Sequence, residues 1–90
     1  MPETTPARIL VADDERSIRW VLGEALRADG HDVVEATGGE EALAALGRGD
    51  VDLAFVDIRM PEPSGLEVVT RAKAEGCRTT IVVMTAQATM

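Results

Sequence analysis

Short apolar segments alternate along the sequence with longer segments in which apolar residues recur at helical spacing. The apolar segments are rich in β-branched residues and short enough to be buried strands; they are residues 8–12, 32–36, 51–56 and 80–85. Strands that alternate with helices form a parallel sheet with right-handed crossovers. We therefore predict an α/β domain whose elements follow the order β-α-β-α-β-α-β.

The first helical segment has the strongest pattern. Between residues 15 and 29, apolar side chains recur at i, i+3, i+4, i+7 and i+8, namely at Ile18, Val21, Leu22, Ala25 and Leu26. The pattern predicts one apolar helix face, an N-cap at Asp14 and a helix end before Gly30. Trp20 falls on the opposite face, where we expect it either to cover neighbouring side-chain stems or to contact a partner protein.

Two further helices are predicted from their first residues. In a capping box, a Ser or Thr side chain and a Glu three residues later satisfy each other's backbone N–H groups. Thr37 with Glu40 and Ser64 with Glu67 have this spacing. We therefore expect the second helix to begin at Thr37 and the third at Ser64.

Length, charge and composition exclude several classes of protein. Ninety residues suit one small domain, and we expect residues 1–7 to be a disordered lead-in to a domain at 8–90. The net charge of −7 argues against a surface that binds nucleic acid or an anionic membrane. The sequence has neither an apolar run long enough to span a membrane nor a signal peptide, so we expect a cytoplasmic protein.

Acidic residues follow two of the predicted strands. Asp13 and Asp14 come directly after the first strand, and Asp57 after the third. If these strands are neighbours in a parallel sheet, the three carboxylates meet in the crevice at the carboxyl ends of the strands. Their mutual repulsion favours a bound cation, and all-oxygen ligands favour a hard divalent ion such as Mg2+. One carboxylate beside that ion is then a candidate nucleophile toward a phosphoryl group.

These residues resemble the receiver domain of two-component response regulators. The resemblance rests on the paired acids, on Asp57-Ile58-Arg59-Met60-Pro61 and on Thr85 after the fourth strand, and it covers residues 8–90. The run Ser17-Ile18-Arg19-Trp20-Val21-Leu22 is similar to receivers of the nitrogen-regulatory NtrC type, which activate sigma-54-dependent transcription. The resemblance implies a flavodoxin-like (CheY-like) doubly wound parallel sheet, incomplete here, with four strands in the order 2-1-3-4.

The resemblance also implies a role for each site residue. Asp57 would accept a phosphoryl group from the phosphohistidine of a sensor histidine kinase, in a Mg2+-dependent transfer. The further metal and phosphoryl contacts would come from Asp14 and Asp57 directly, Asp13 through water, the backbone carbonyl of Arg59, the Thr85 hydroxyl and the Ala86 N–H. Such a domain is a regulatory switch rather than an enzyme, and it would control transcription through its own output domains in a longer chain.

Receivers normally continue through a further helix, strand and helix, and the added strand carries a lysine that contacts the phosphoryl group. The only lysine here, Lys73, lies well inside the third predicted helix and is not placed to substitute for it. We therefore expect a truncated fragment of a longer regulator, with the fourth strand exposed as an edge and one side of the first helix bare. A homodimer that pairs through this edge is a further expectation.

Two other functions remain open at this point. A truncated receiver that cannot be phosphorylated would act only as an interaction or self-association module. A phosphatase of the aspartate-nucleophile class would need a second Asp two residues after Asp57, and this position is Arg59, which argues against that class.

Overall fold

The computed structural model describes residues 5–84 of the 90-residue chain. Strands and helices alternate as the sequence predicts. In chain order they are β1 (Arg8–Ala12), α1 (Arg16–Ala28), β2 (Asp32–Ala36), α2 (Gly39–Gly47), β3 (Leu53–Asp57), α3 (Gly65–Ala74) and β4 (Thr80–Met84). Among the described residues, no helix has the length and apolar character that a membrane crossing needs.

The four strands form one parallel sheet in the order β2-β1-β3-β4, so the predicted strand order is confirmed. β1 lies between β2 and β3, and Ala12 is in register with both Ala36 and Val56. At the carboxyl end of β3, Asp57 is in register with Met84 of β4. The last residue of β3, Asp57, and the residues that follow β1 therefore meet at the carboxyl ends of the strands, which is where the acidic residues lie.

One face of the sheet carries the main hydrophobic core, beneath α2 and α3. Alternate residues of a strand point to the same face, so Leu10 and Ala12 of β1 and Ala54 and Val56 of β3 all join this core. Val68 of α3 is fully buried against them. Complete burial of such an aliphatic side chain stabilises the fold by about 1.5–3 kcal/mol, so this face supplies most of the packing energy.

Within the described part of the chain, α1 is the only helix on the opposite face, which is only partly buried. Gly23 is the one buried residue of α1, whereas Val21 is 59% exposed and Ile18 is 41% exposed. The apolar face predicted for this helix therefore does not become a closed core. On this side Ile9 and Val11 of β1 are buried, but Phe55 of β3 is half-buried and Val82 of β4 is 41% exposed.

The predicted start of α1 needs correction. Its N-cap position is Glu15 rather than Asp14, and no side chain caps it. Instead, the Asp13 carboxylate accepts a hydrogen bond from the Glu15 N–H at 2.8 Å. The carboxylate nearest to the end of β1 thus stabilises the turn, and Asp14 is left exposed to solvent.

Of the two predicted capping boxes, one is wrong. The N-cap of α2 is Gly38, and Thr37 donates from its N–H and its hydroxyl to Glu41 at 2.7 and 3.0 Å, not to Glu40. In α3 the predicted cap is present, because the Ser64 hydroxyl accepts from the Glu67 N–H at 3.3 Å. Sequence spacing alone does not distinguish Glu40 from Glu41, since either side chain lies within reach of the first helical turn.

One predicted strand boundary also differs. β3 begins at Leu53 rather than at residue 51, and the Val51 carbonyl just before it accepts the buried Thr79 hydroxyl at 2.8 Å. The predicted lead-in lies partly outside the described residues. At its end, the Ala7 N–H donates to Nδ1 of His31 at 3.0 Å, and the Ala7 carbonyl accepts from the Asp32 N–H at 2.9 Å.

Candidate metal centre

Three carboxylates converge at the carboxyl ends of β1 and β3. Asp13, Asp14 and Asp57 each offer an oxygen atom, and these atoms all lie within 4.8 Å of one another. Asp13 and Asp57 are buried, with 5% and 4% of their surfaces exposed, whereas Asp14 is exposed. Two acids inside and one at the surface form a half-open cluster that an ion from solvent can reach.

Asp57 is held by backbone contacts of the residues that follow it and by the start of α3. Its Oδ1 accepts the Arg59 N–H at 3.1 Å, and the Ile58 N–H donates to the Met84 carbonyl at 2.9 Å. Gly65, the first residue of α3, packs so closely that a Cβ there would overlap the Asp57 carbonyl. The start of α3 therefore presses on the end of β3 and fixes where the Asp57 side chain begins.

Asp13 is fixed by three separate contacts. Its N–H donates to the Ala36 carbonyl of β2 at 3.1 Å, and its carboxylate accepts the Glu15 N–H. Its own carbonyl accepts a hydrogen bond of 2.8 Å from Nη1 of Arg19. The turn that presents Asp13 and Asp14 is thus tied to both β2 and α1.

The position of Asp13 in the cluster shifts its pKa. Burial raises the pKa of Asp13 above its usual value, and the charges of Asp57 and Asp14 raise it further, against the opposing effect of the Glu15 N–H. The folded chain without a bound cation therefore disfavours an ionised Asp13. A divalent cation would remove this penalty, and an all-oxygen donor set suits a hard ion such as Mg2+, so the residues present fit the predicted metal.

The cluster opens into a cleft of about 340 Å³. Besides the three acids, the cleft is lined by Glu15, Ile18, Arg59 and Met84. The cleft thus provides space beside Asp57 for a group larger than an ion. Arg59, for which the sequence predicted a role of the backbone carbonyl, is thus beside the acids.

Two predicted site residues, Thr85 and Ala86, lie outside the described residues. Met84, which directly precedes them, lines the cleft and is in register with Asp57. Sequence reasoning gave no role to Arg19, although this residue contacts the Asp13 carbonyl. Because the acceptor is a backbone carbonyl, which every residue has, the sequence does not indicate this contact and only the fold reveals it.

A second cleft, of about 470 Å³, lies away from the acids, where α2 and α3 end. Its lining includes the buried Leu46 and Val51, the half-buried Cys77 thiol and the exposed Arg78. Among residues 5–84, the three aspartates are the only cluster of potential metal ligands, and this cleft contains none of them. The candidate centre is therefore confined to the carboxyl ends of the strands.

Together, the fold and the acidic cluster define a doubly wound α/β domain with a candidate metal centre at its strand ends. The chain belongs to the response regulator receiver domain family, whose model matches residues 9–90. The resemblance that the sequence suggested is thereby confirmed. A receiver is a regulatory domain of two-component signalling rather than a typical enzyme.

Relatives of known identity include regulators of transcription. The DNA-binding transcriptional regulator NtrC of Azospirillum brasilense is 44% identical over an alignment of 87 residues that covers 93% of this chain. The response regulator MprA of Mycobacterium sp. (strain KMS) is 38% identical over 82 residues, or 91% of the chain. The chain spans only 18% of the length of NtrC and 36% of that of MprA.

Solved structures of response regulators share the fold. The response regulator TrrA of Thermotoga maritima, crystallised in complex with Mg2+-BeF, is 41% identical and superposes with a TM-score of 0.84, over 91% of this chain and 71% of TrrA. TrrA in complex with the histidine kinase ThkA superposes with a TM-score of 0.82 over 92% of this chain and 72% of TrrA, again at 41% identity.

Proposed function

We propose that this chain is a phosphoacceptor domain in which Asp57 receives a phosphoryl group from the phosphohistidine of a sensor histidine kinase. The observation that carries the proposal is the buried Asp57 carboxylate beside Asp13 and Asp14, at the mouth of an open cleft. One relative supports it through two solved structures: TrrA was crystallised with Mg2+-BeF, and also in complex with the histidine kinase ThkA.

In this transfer, a carboxylate oxygen of Asp57 attacks the phosphorus, an O–P bond forms, and the N–P bond to histidine breaks. Phosphoryl transfer depends mainly on positioning and on charge neutralisation, so a rigidly held carboxylate is sufficient as the nucleophile. The Arg59 N–H and the close approach of Gly65 provide that rigidity.

The proposed cofactor is Mg2+, held by Asp14 and Asp57 directly, by Asp13 through water, and by the Arg59 carbonyl. When bound, it supplies the positive charge that the three acids and the incoming phosphoryl oxygens require. The Thr85 hydroxyl and the Ala86 N–H are proposed to contact the phosphoryl group, because they follow Met84, which lines the cleft. A hydroxyl that reorients toward new negative charge would make the domain a two-state switch.

The proposed output is control of transcription by further domains of a longer chain. The similarity to NtrC supports this, and the resemblance to NtrC-type receivers favours a sigma-54-dependent promoter.

Labelling by a small radioactive phosphodonor, in the presence of Mg2+, tests the proposal. We expect Asp57→Asn to abolish the acid-stable, base-labile label that an acyl phosphate gives. Asp29→Asn is a matched control, because Asp29 is an exposed acid at the end of α1 and should leave labelling unchanged. Undiminished labelling of Asp57→Asn would reject the site.

A second candidate is an interaction module that turns over no phosphate. The position of the only lysine favours it, because Lys73 lies exposed in the last turn of α3, whereas Asp57 lies against the first. Mg2+-dependent binding of beryllofluoride, a phosphoryl mimic, separates the two functions: binding supports the phosphoacceptor and its absence supports the module.

Under either function, we propose that two copies of the chain pair through the outer edge of β4. Among residues 5–84, β4 is an edge of the sheet, and one of its side chains, Val82, is 41% exposed. The outer backbone groups of such a strand are free to pair with a second strand, and two identical strands can do so across a two-fold axis.

A further inference from the structure

Arg19 is a largely buried basic residue that contacts the backbone of one of the three acids. Only 13% of its side chain is exposed, although it stands on a helix whose other basic residues face solvent. Its Nη1 donates to the Asp13 carbonyl at 2.8 Å. The side chain points back along α1 toward the start of the helix, which is the direction that helical geometry favours. Arg19 therefore contacts the backbone of a candidate metal ligand and leaves its carboxylate free.

The other side of the Arg19 guanidinium faces β2. Its Nε lies 3.4 Å from Oε1 of Glu35, a geometry that makes an ion pair but leaves this buried nitrogen without a hydrogen-bond partner among the described residues. Glu35 also forms an ion pair of 3.2 Å with Arg27, which lies about two helical turns after Arg19 on α1. Arg19 thus bridges the turn after β1 and the neighbouring strand, and Glu35 balances its charge.

This bridge acts on the segment that carries two of the three acids. The Asp13 carbonyl, clamped by Arg19, and the Asp13 carboxylate, bonded to the Glu15 N–H, together define the turn that presents Asp13 and Asp14. Without the clamp, the carbonyl loses a charged donor, and the peptide between Asp13 and Asp14 is free to rotate. The two carboxylates would then spend less time in the arrangement that binds an ion.

We propose that Arg19 is a positioning residue of the metal centre, which sets its affinity for a divalent cation by clamping the Asp13 carbonyl. The inference rests on the proposed function of the acidic cluster. Contacts that orient metal ligands without touching the metal typically change affinity by 10- to 100-fold when they are removed. Because Glu35 neutralises Arg19, removal of Arg19 weakens the geometry of the site more than it relieves electrostatic repulsion of the cation.

The test is titration calorimetry with Mg2+ alone, at neutral pH, on the whole chain. Arg19→Met keeps the length of the side chain but removes the clamp, and we expect it to weaken Mg2+ binding about tenfold. Arg27→Met is the matched control, because it removes the other partner of Glu35 without touching Asp13, and its affinity should stay near that of the unchanged chain. Arg19→Lys, which can reach the carbonyl but not Glu35 at the same time, should recover part of the loss.

A second measurement uses no metal. Exchange of the Glu15 amide hydrogen reports on the turn directly, and it should become about tenfold faster in Arg19→Met than in Arg27→Met. Equal effects of the two substitutions on affinity and exchange, or Mg2+ binding in Arg19→Met as tight as in the unchanged chain, would overturn the clamp. If the unchanged chain binds no Mg2+, the proposed metal centre fails instead, and amide exchange still decides whether Arg19 holds the turn.

Discussion

At the residue scale, the unusual feature is a buried acid whose ionisation the fold disfavours. Asp13 sits 5% exposed between two other carboxylates, so burial and like charge both raise its pKa. A carboxyl group whose pKa is raised by folding contributes stability at low pH, where it is protonated, and this stability is lost as pH rises through the folded-state pKa. At neutral pH without a cation, the ionised Asp13 therefore lowers the free energy of unfolding.

We expect Asp13→Asn to increase the free energy of unfolding at pH 7 in the absence of divalent ions. The gain comes from removing a negative charge that is buried beside two other carboxylates. It should shrink as pH falls through the carboxyl range, because Asp13 itself is then neutral. Urea denaturation with EDTA at several pH values measures this, with Asp29→Asn as the control. A gain that is independent of pH would mean that charge is not its cause.

At the element scale, the starts of α1 and α3 lie beside the acidic cluster and fix the strand ends that carry it. α1 starts in a turn stabilised by Asp13, α2 starts after Gly38, and only α3 has the side-chain cap that its sequence predicts. The start of α3 is also the point that packs most closely on β3, through Gly65. A helix that begins without a side chain there can approach the strand that carries Asp57.

We expect Gly65→Ala to lower both stability and Mg2+ affinity. The added Cβ would overlap the Asp57 carbonyl, so α3 or the end of β3 must shift, at a cost of about 1–3 kcal/mol. Gly47→Ala is the control, because a Cβ at this helical glycine meets nothing within 4 Å. Thermal unfolding and calorimetry measure the two effects. Gly65→Ala with unchanged stability would show that the contact is readily relieved.

At the scale of the whole molecule, the two faces of the sheet are unequal. α2 and α3 close a continuous core on one face, whereas the α1 face leaves Val21 and Val82 largely exposed. Apolar surface beside a strand edge is a typical site of association. This asymmetry supports the proposed pairing of two copies through β4.

We expect the chain to sediment as a dimer at micromolar concentration and Val82→Lys to shift it toward the monomer. A charged side chain on an edge strand opposes pairing, because two like charges would meet across the two-fold axis. Leu66→Lys is the control, since Leu66 is also exposed, at 57%, but lies on α3. A chain that is monomeric across this range would contradict the pairing.

The sequence by itself determined the alternation of elements, because apolar periodicity and glycine stops are local features. Its acids and the run from Asp57 to Pro61 carried the family resemblance, and that resemblance implied the strand order. Spacing also predicted the cap of α3 but failed for α2, where Glu40 and Glu41 are both within reach of Thr37.

Only the tertiary structure decided how the site is held and how well the core is closed. The hydrogen bond from Arg19 to the Asp13 carbonyl and the approach of Gly65 to the Asp57 carbonyl both involve a backbone atom, so residue types alone do not predict either contact. The apolar face of α1 was correctly patterned, yet burial depends on what packs against it. Periodicity records which side chains favour burial, whereas three-dimensional packing sets how many of them are buried.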